Sequence, residues 1–294
     1  MERHSCAMIG FGEAARAFAT DAYAVIVAYD RKTDDVATRA GIEADADALG
    51  VTLAPSNAGA SRGASLILSL VTADQALPAA MTTAAAIDAA PLYCDMNSVA
   101  PDTKRAVAHA ITAAGGRYVD VAVMAPVHPA KLTVPLLVSG NHAADAATAL
   151  HAFGFTNVRV VDGGIGAASS IKMIRSVMIK GMEALTSECM LAGAKAGVLD
   201  AVIASLDASW PGADWRARAD YNLDRMMVHG LRRAAEMEEV VATLDALGTG
   251  SAMTRGTVQR QRAIGTLGLD TPEGLTAKIA AIDGAENKKK DKAA

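Results

Sequence analysis

"SCAMIGFGEAARAFATDAYAVIVAYD", residues 5–30, decides how the chain is read. It opens on an apolar run, Ser5–Ile9, breaks at Gly10 and Gly12, passes through the alanine-rich stretch Glu13–Thr20 and closes on a second apolar run, Ala24–Tyr29. Short apolar runs bounded by glycine read as buried strands, and the alanine-rich piece between them reads as a helix. Gly10-Phe11-Gly12-Glu13-Ala14-Ala15 is a GxGxxA pattern set between that strand and that helix. Gly10 permits a tight turn, Gly12 lets a pyrophosphate approach the backbone, and Ala15 lets the helix pack closely on the strand. The N–H groups of the helix N-terminus then face the phosphates. Asp30 ends the second run eighteen residues after Gly12, near the spacing at which a carboxylate meets the adenosine ribose hydroxyls.

The expected cofactor is therefore NAD or NADP, held by Gly10, Phe11, Gly12, Glu13, Ala14, Asp30 and Arg31. Asp30 leans toward NAD, because it repels a 2′-phosphate, whereas Arg31 and Lys32 would hold one. The plainer alternative is a strand–helix turn followed by a surface aspartate.

Strand-type runs continue at Leu66–Leu70, Leu92–Asp95, Tyr118–Val123 and Pro135–Val138, with helical segments such as Ala73–Ala90 and Pro101–Ala114 between several of them. Alternation of this kind predicts a parallel sheet wrapped by helices. Beyond Gly166 the strand signal stops, and residues 167–284 read as helices broken near Gly197, at Trp210–Gly212 and around Gly248–Gly250. The expected fold is an α/β Rossmann-type domain over residues 1–165, followed by an all-α domain over 166–285. A long helix over 167–196 starts at the join, and 286–294 is expected to be a disordered tail.

The 294 residues suffice for two domains with a large core, and 51% hydrophobic content describes a compact globular protein. A net charge of −4 provides no general attraction to nucleic acid or anionic membrane. Cys6, Cys94 and Cys189 are odd in number and widely spaced, with no ligand spacing for a metal. Reduced thiols in a cytoplasm are expected, with no bound metal. No apolar run approaches the roughly 20 residues of a membrane span, and the N-terminus leads directly into a strand without a signal-peptide pattern.

The segment "IGAASSIKMIRSVMIKGMEAL", residues 165–185, is apolar yet carries Lys172, Arg175 and Lys180. At 100° per residue these cations, Ser176 and Glu183 share one side of a helix. They form either a solvated face or the lining of a cleft at the domain join, where ligands commonly bind. Asn97 and Ser98 follow a strand end directly, so they are candidates to meet a ligand or to cap the helix starting at Pro101. His128, between prolines, reads as a structural loop residue.

With these elements in order, the chain resembles the β-hydroxyacid dehydrogenases, the superfamily of 3-hydroxyisobutyrate and 6-phosphogluconate dehydrogenases. "MIGFGEAA" is similar to the family's nucleotide loop, and "LILSLVTADQAL" to its fourth strand, with Leu70, Val71 and Thr72 beside the cofactor. "YCDMNSVAP" resembles the Asp-x-Ser-Thr-x-x-Pro segment and places Asn97 and Ser98 at the substrate. "GIGAASSIKMIRS" resembles the catalytic segment, so Lys172 falls on the catalytic lysine. "MMVHGLRRAAEMEEV" resembles the later helix near the nicotinamide. Three positions depart from the family: Ser176 replaces the usual Asn, Met124-Ala125-Pro126 replaces Ser-Gly-Gly, and His229-Gly230-Leu231 replaces Lys-Asp-Leu. They resemble the less characterised branch with its own C-terminal helical domain.

The resemblance implies hydride transfer between the nicotinamide and a small hydroxy or oxo acid. Lys172 is then the general acid/base, tuned by desolvation and by Arg175 and Lys180. Ser176 assists it, and Asn97, Ser98, Arg175, Lys180 and His229 meet the substrate. Homodimerisation through the helical domain is implied as well. Two other readings stay open: reduction of a C=N bond, since imine reductases share the fold but generally replace the lysine, and cofactor binding without turnover.

Overall fold

The computed structural model describes residues 5–293, with side chains from Cys6 to Asn287. The chain divides into two compact units, Met1–Met173 and Ile174–Ala294.

The first unit is built on one eight-stranded sheet. Its strands are β1 (Ser5–Ile9), β2 (Val25–Tyr29), β3 (Thr52–Leu53), β4 (Leu66–Ser69), β5 (Leu92–Asp95), β6 (Arg117–Val123), β7 (Leu136–Ser139) and β8 (Val158–Val160). Their spatial order is β3-β2-β1-β4-β5-β6-β7-β8. The helices of this unit are α1 (Glu13–Ala19), α2 (Val36–Ala48), α3 (Asn57–Ser61), α4 (Ala76–Ala84), α5 (Pro101–Ala113) and α6 (Ala143–Phe153). The central strands are buried on both faces, as β4 and β5 are along their whole length. Such strands read as continuous apolar runs, which is why they were visible in the sequence.

Two expectations about the sheet are amended. The pairing is parallel throughout except β6 with β7, which is antiparallel. Residues 124–135 between them contain only a 3-10 turn at Lys131–Thr133. With no crossover helix, the chain returns beside the strand it left, in the opposite sense. The short strands β3 and β8 close the two ends of the sheet. Each is too short to show a period in sequence.

The second unit is helical. The long helix α7 (Ala167–Lys195) begins in the first unit and continues into the second, and α8 (Leu199–Ser209), α9 (Trp215–Ala246), α10 (Ala252–Gly265) and α11 (Leu275–Ala293) follow. Division falls within α7 rather than at 165/166, because its opening turn packs on the sheet: Ala168 is buried with Ala122 and Leu137. Of the expected tail over 286–294, residues 286–293 belong instead to α11, and Ala294 lies outside the described residues. No glycine or proline follows Gly284, and alanine, glutamate and lysine continue a helix readily.

In the helical unit Met190, Leu223, Met226, Ile264 and Ile282 form the centre of the core. Helices α9 and α10 meet at two glycines. A Cβ on Gly230 would lie 2.5 Å from the Gln261 carbonyl oxygen, and one on Gly265 2.5 Å from the Leu231 nitrogen. Gly230 therefore lets two backbones touch, which accounts for a glycine beside His229.

Candidate active site

The carboxyl ends of β1, β2 and β4 carry the predicted cofactor residues, that of β5 carries Asn97 and Ser98, and strand order reverses between β1 and β4. Open α/β sheets bind ligands in that crevice. Gly10 has φ of +92° and donates its N–H to the Tyr29 carbonyl at 2.8 Å. A Cβ there would lie 2.5 Å from the Leu70 carbonyl oxygen, so no other residue fits. Phe11 is fully buried, and its N–H donates to Asp30 Oδ2 at 2.8 Å. Asp30 Oδ1 accepts the Lys32 N–H at 2.9 Å. Gly12 is the N-cap of α1, no side chain caps that helix, and a Cβ on Gly12 would meet nothing within 4 Å. These features leave room beside uncapped N–H groups, as a pyrophosphate requires. Glu13 is exposed and Ala14 half-buried on the first turn, while Arg31 is exposed after β2. Gly10→Ala is expected to weaken NAD(P)H binding about tenfold or more in a fluorescence titration, because the displaced Leu70 loop forms the facing wall. Unchanged affinity would remove Gly10 from the site.

On β4 and β5 the structure revises one expectation. Asn97 is buried: its Oδ1 accepts the Val71 N–H at 2.7 Å and its Nδ2 donates to Ser69 Oγ at 2.9 Å. Both ends of its amide serve the chain, so it fixes the Leu70-Val71-Thr72 loop rather than facing a substrate. It is not the N-cap of α5 either, which is Ala100. Ser98, next in sequence, is half-buried, and Lys172 Nζ donates to its Oγ at 2.5 Å. Two residues picked out 74 positions apart thus meet.

Beneath them lies a charged cluster that the sequence reading missed. Lys104, Asp95 and Asp120 are fully buried. Lys104 Nζ donates to the Asp95 carbonyl at 2.6 Å and stands 3.0 Å from Asp95 Oδ1 and 3.5 Å from Asp120 Oδ1. Asp95 Oδ2 accepts from the Tyr118 hydroxyl at 2.9 Å, and burial beside these carboxylates raises the Tyr118 pKa. Two signals pointed there: Lys104 shares a helical face with buried Val107, Ala108 and Ile111, and Asp120 interrupts an apolar strand.

Further along α7, Arg175 is exposed and Ser176 is buried. Lys180 does not match its expected role of meeting a substrate anion. It is buried and bonded to Glu236 on α9 at 2.5 Å. Desolvation lowers its pKa, and Glu236 opposes that shift. Its charge is matched within the helical unit. Nearby Glu183 accepts from Arg233 through both oxygens and from Gln261 Nε2 at 2.9 Å. His229 is half-buried on α9.

The sheet order and glycine turn define a dinucleotide-binding Rossmann unit, and comparisons with known proteins agree. Residues 6–160, more than half of the chain, match the NAD binding domain of 6-phosphogluconate dehydrogenase. Residues 194–264 match a domain of unknown function, DUF1932. The chain therefore belongs to the β-hydroxyacid dehydrogenase superfamily, in the less characterised branch with its own helical domain. It is similar to a conserved hypothetical protein from Sinorhizobium meliloti 1021, with 37% identity, 96% of each chain covered and a TM-score of 0.74. It shares its fold with Mycobacterium tuberculosis 3-hydroxyisobutyrate dehydrogenase (14% identity, 96% of this chain and 99% of that one, TM-score 0.72). The same holds for a Streptomyces aurantiacus imine reductase (19%, 96% and 99%, TM-score 0.56). Among curated proteins no sequence matches. No helix among the described residues is long and apolar enough to cross a membrane.

Proposed function

We propose that the protein is an NAD(P)-dependent dehydrogenase that moves a hydride between the nicotinamide and a small hydroxy acid or its oxo form. The observation that carries this reading is the 2.5 Å bond from Lys172 Nζ to Ser98 Oγ. Ser98 follows the end of β5, and its neighbour Asn97 holds Val71 in the loop after β4. The nicotinamide, when bound, supplies the hydride acceptor or donor. Gly12 and the uncapped N–H groups in the first turn of α1 would hold the pyrophosphate, with Gly10 and Phe11 shaping the turn through their bonds to Tyr29 and Asp30, and Asp30 and Arg31 would meet the adenosine end. A hydroxyl losing hydride from its carbon must also lose a proton from its oxygen, and Lys172 Nζ in its neutral form accepts that proton. In the reverse direction its ammonium returns the proton. Ser98 keeps the amine in place, and Ser176, one turn on along the same face of α7, adds a hydroxyl. Asp30 supports a preference for NAD.

The test is a 340 nm screen of 2- and 3-hydroxy acids, their oxo forms and cyclic imines, with both nicotinamides. Turnover of a hydroxy or oxo acid supports the reading. Turnover of imines alone would replace it with C=N reduction, and cofactor binding without any turnover would favour a sensor.

Homodimerisation through the helical unit belongs to the same reading. Ile174, Met178 and Leu185 recur along one side of α7 and are 50%, 64% and 58% exposed, an apolar stripe suited to a second copy. Met178→Lys is expected to shift the wild-type dimer toward monomer in sedimentation velocity. A monomeric wild type would exclude this.

A further inference from the structure

We infer that Lys104, Asp95 and Asp120 are positioning residues that lock together the two partners of the Lys172–Ser98 bond. This inference rests on the reading of Lys172 as proton carrier for its meaning, though not for its test.

The cluster reaches each partner by its own route. Asp95 Oδ1 accepts the Asn97 N–H at 3.0 Å, which fixes the backbone directly before Ser98. Asp120 Oδ2 accepts the N–H groups of Gly166 at 3.1 Å and Ser169 at 3.0 Å, together with the Ser169 hydroxyl at 3.1 Å. The Ser139 hydroxyl also donates to it at 3.3 Å and accepts the Ala168 N–H at 3.0 Å. The open N–H groups of a helix start are thereby tied to β6 and β7, one turn before Lys172. Lys104 stands between the two carboxylates and joins the routes.

Charge and burial argue for precision of placement rather than for stability. One ammonium and two carboxylates lie fully out of water. Such groups are costly to desolvate, and well-packed apolar side chains would often serve stability as well. A negative excess is accommodated because Asp120 lies at the positive end of a long helix. Bonds with fixed donors and acceptors permit one placement of α7 against β5, whereas apolar contacts tolerate sliding.

The experiment uses the full chain with 13C-labelled lysine, following the Lys172 CεH2 signal by NMR and assigning it by its loss in Lys172→Arg. A held lysine gives two distinct Hε shifts, and a freely rotating one gives a single averaged value. Lys104→Met and Asp120→Asn are expected to merge the Lys172 pair. Each should also slow hydride transfer tenfold or more, with the NAD(P)H dissociation constant within twofold of wild type. Asn57→Ala serves as control, since its amide bonds to Ala79 and Thr83 elsewhere in the same unit. It should leave the Lys172 pair distinct. If Lys104→Met fails to fold, Asp120→Asn, which keeps shape and one acceptor, carries the test. A Lys172 pair unchanged in the folded variants, or merged equally by Asn57→Ala, overturns the inference. A merged pair with undiminished turnover would keep the clamp and overturn Lys172 as proton carrier.

Discussion

With Lys172 replaced by methionine, hydride transfer is expected to slow by about 10²–10⁴-fold, the contribution of a positioned general acid or base. Methionine keeps the length and apolar stem of the side chain and removes the amine to which the proposal assigns the proton transfer. Affinity for NADH or NADPH should stay within about twofold, because the predicted cofactor contacts lie on the β1, β2 and β4 loops. Ser98→Ala should cost less, about tenfold, since it removes only the partner that holds the amine at 2.5 Å. Single-turnover absorbance at 340 nm separates these effects from product release. Full activity in Lys172→Met would move proton transfer to another group, with His229 next to be tested.

The second large effect is on stability. Arg233→Met should destabilise the helical unit by about 3–5 kcal/mol, the usual result of stripping one partner from a buried ion pair. Glu183 is 3% exposed and Arg233 8%, so water cannot replace the guanidinium. Gln261 would remain as the donor to Glu183. Adding Glu183→Leu to Arg233→Met should restore much of the loss, because the orphaned carboxylate then disappears. Urea unfolding followed by helical circular dichroism measures both. A loss below about 1 kcal/mol would place this pair with ordinary surface ion pairs.

The sheet was legible wherever burial on both faces wrote a continuous apolar run, as in β1, β4 and β5. Glycine spacing located the cofactor turn, and Asp30 fell beside it. What escaped the sequence depended on partners far along the chain. Asn97 has the right place for a ligand contact, yet Val71 and Ser69 take its amide. Lys180 shares a helical face with Lys172, yet Glu236, on another helix, meets it first. Helical periodicity gives the direction of a side chain but not the group waiting there. Lys172 and Ser98 could be chosen separately by motif, while their bond required the fold.

The bond from Phe11 to Asp30 has a consequence for how a nucleotide arrives. Together with the Gly10–Tyr29, Leu70–Ile9 and Val71–Asn97 bonds, it shapes both walls of the turn using groups of the chain itself. The entropy of ordering those walls is therefore spent during folding, and little is deducted from the affinity of a visitor. Stopped-flow binding should show a rate that climbs in proportion to nucleotide concentration, without the plateau of a slow rearrangement. The turn acts as a finished mould.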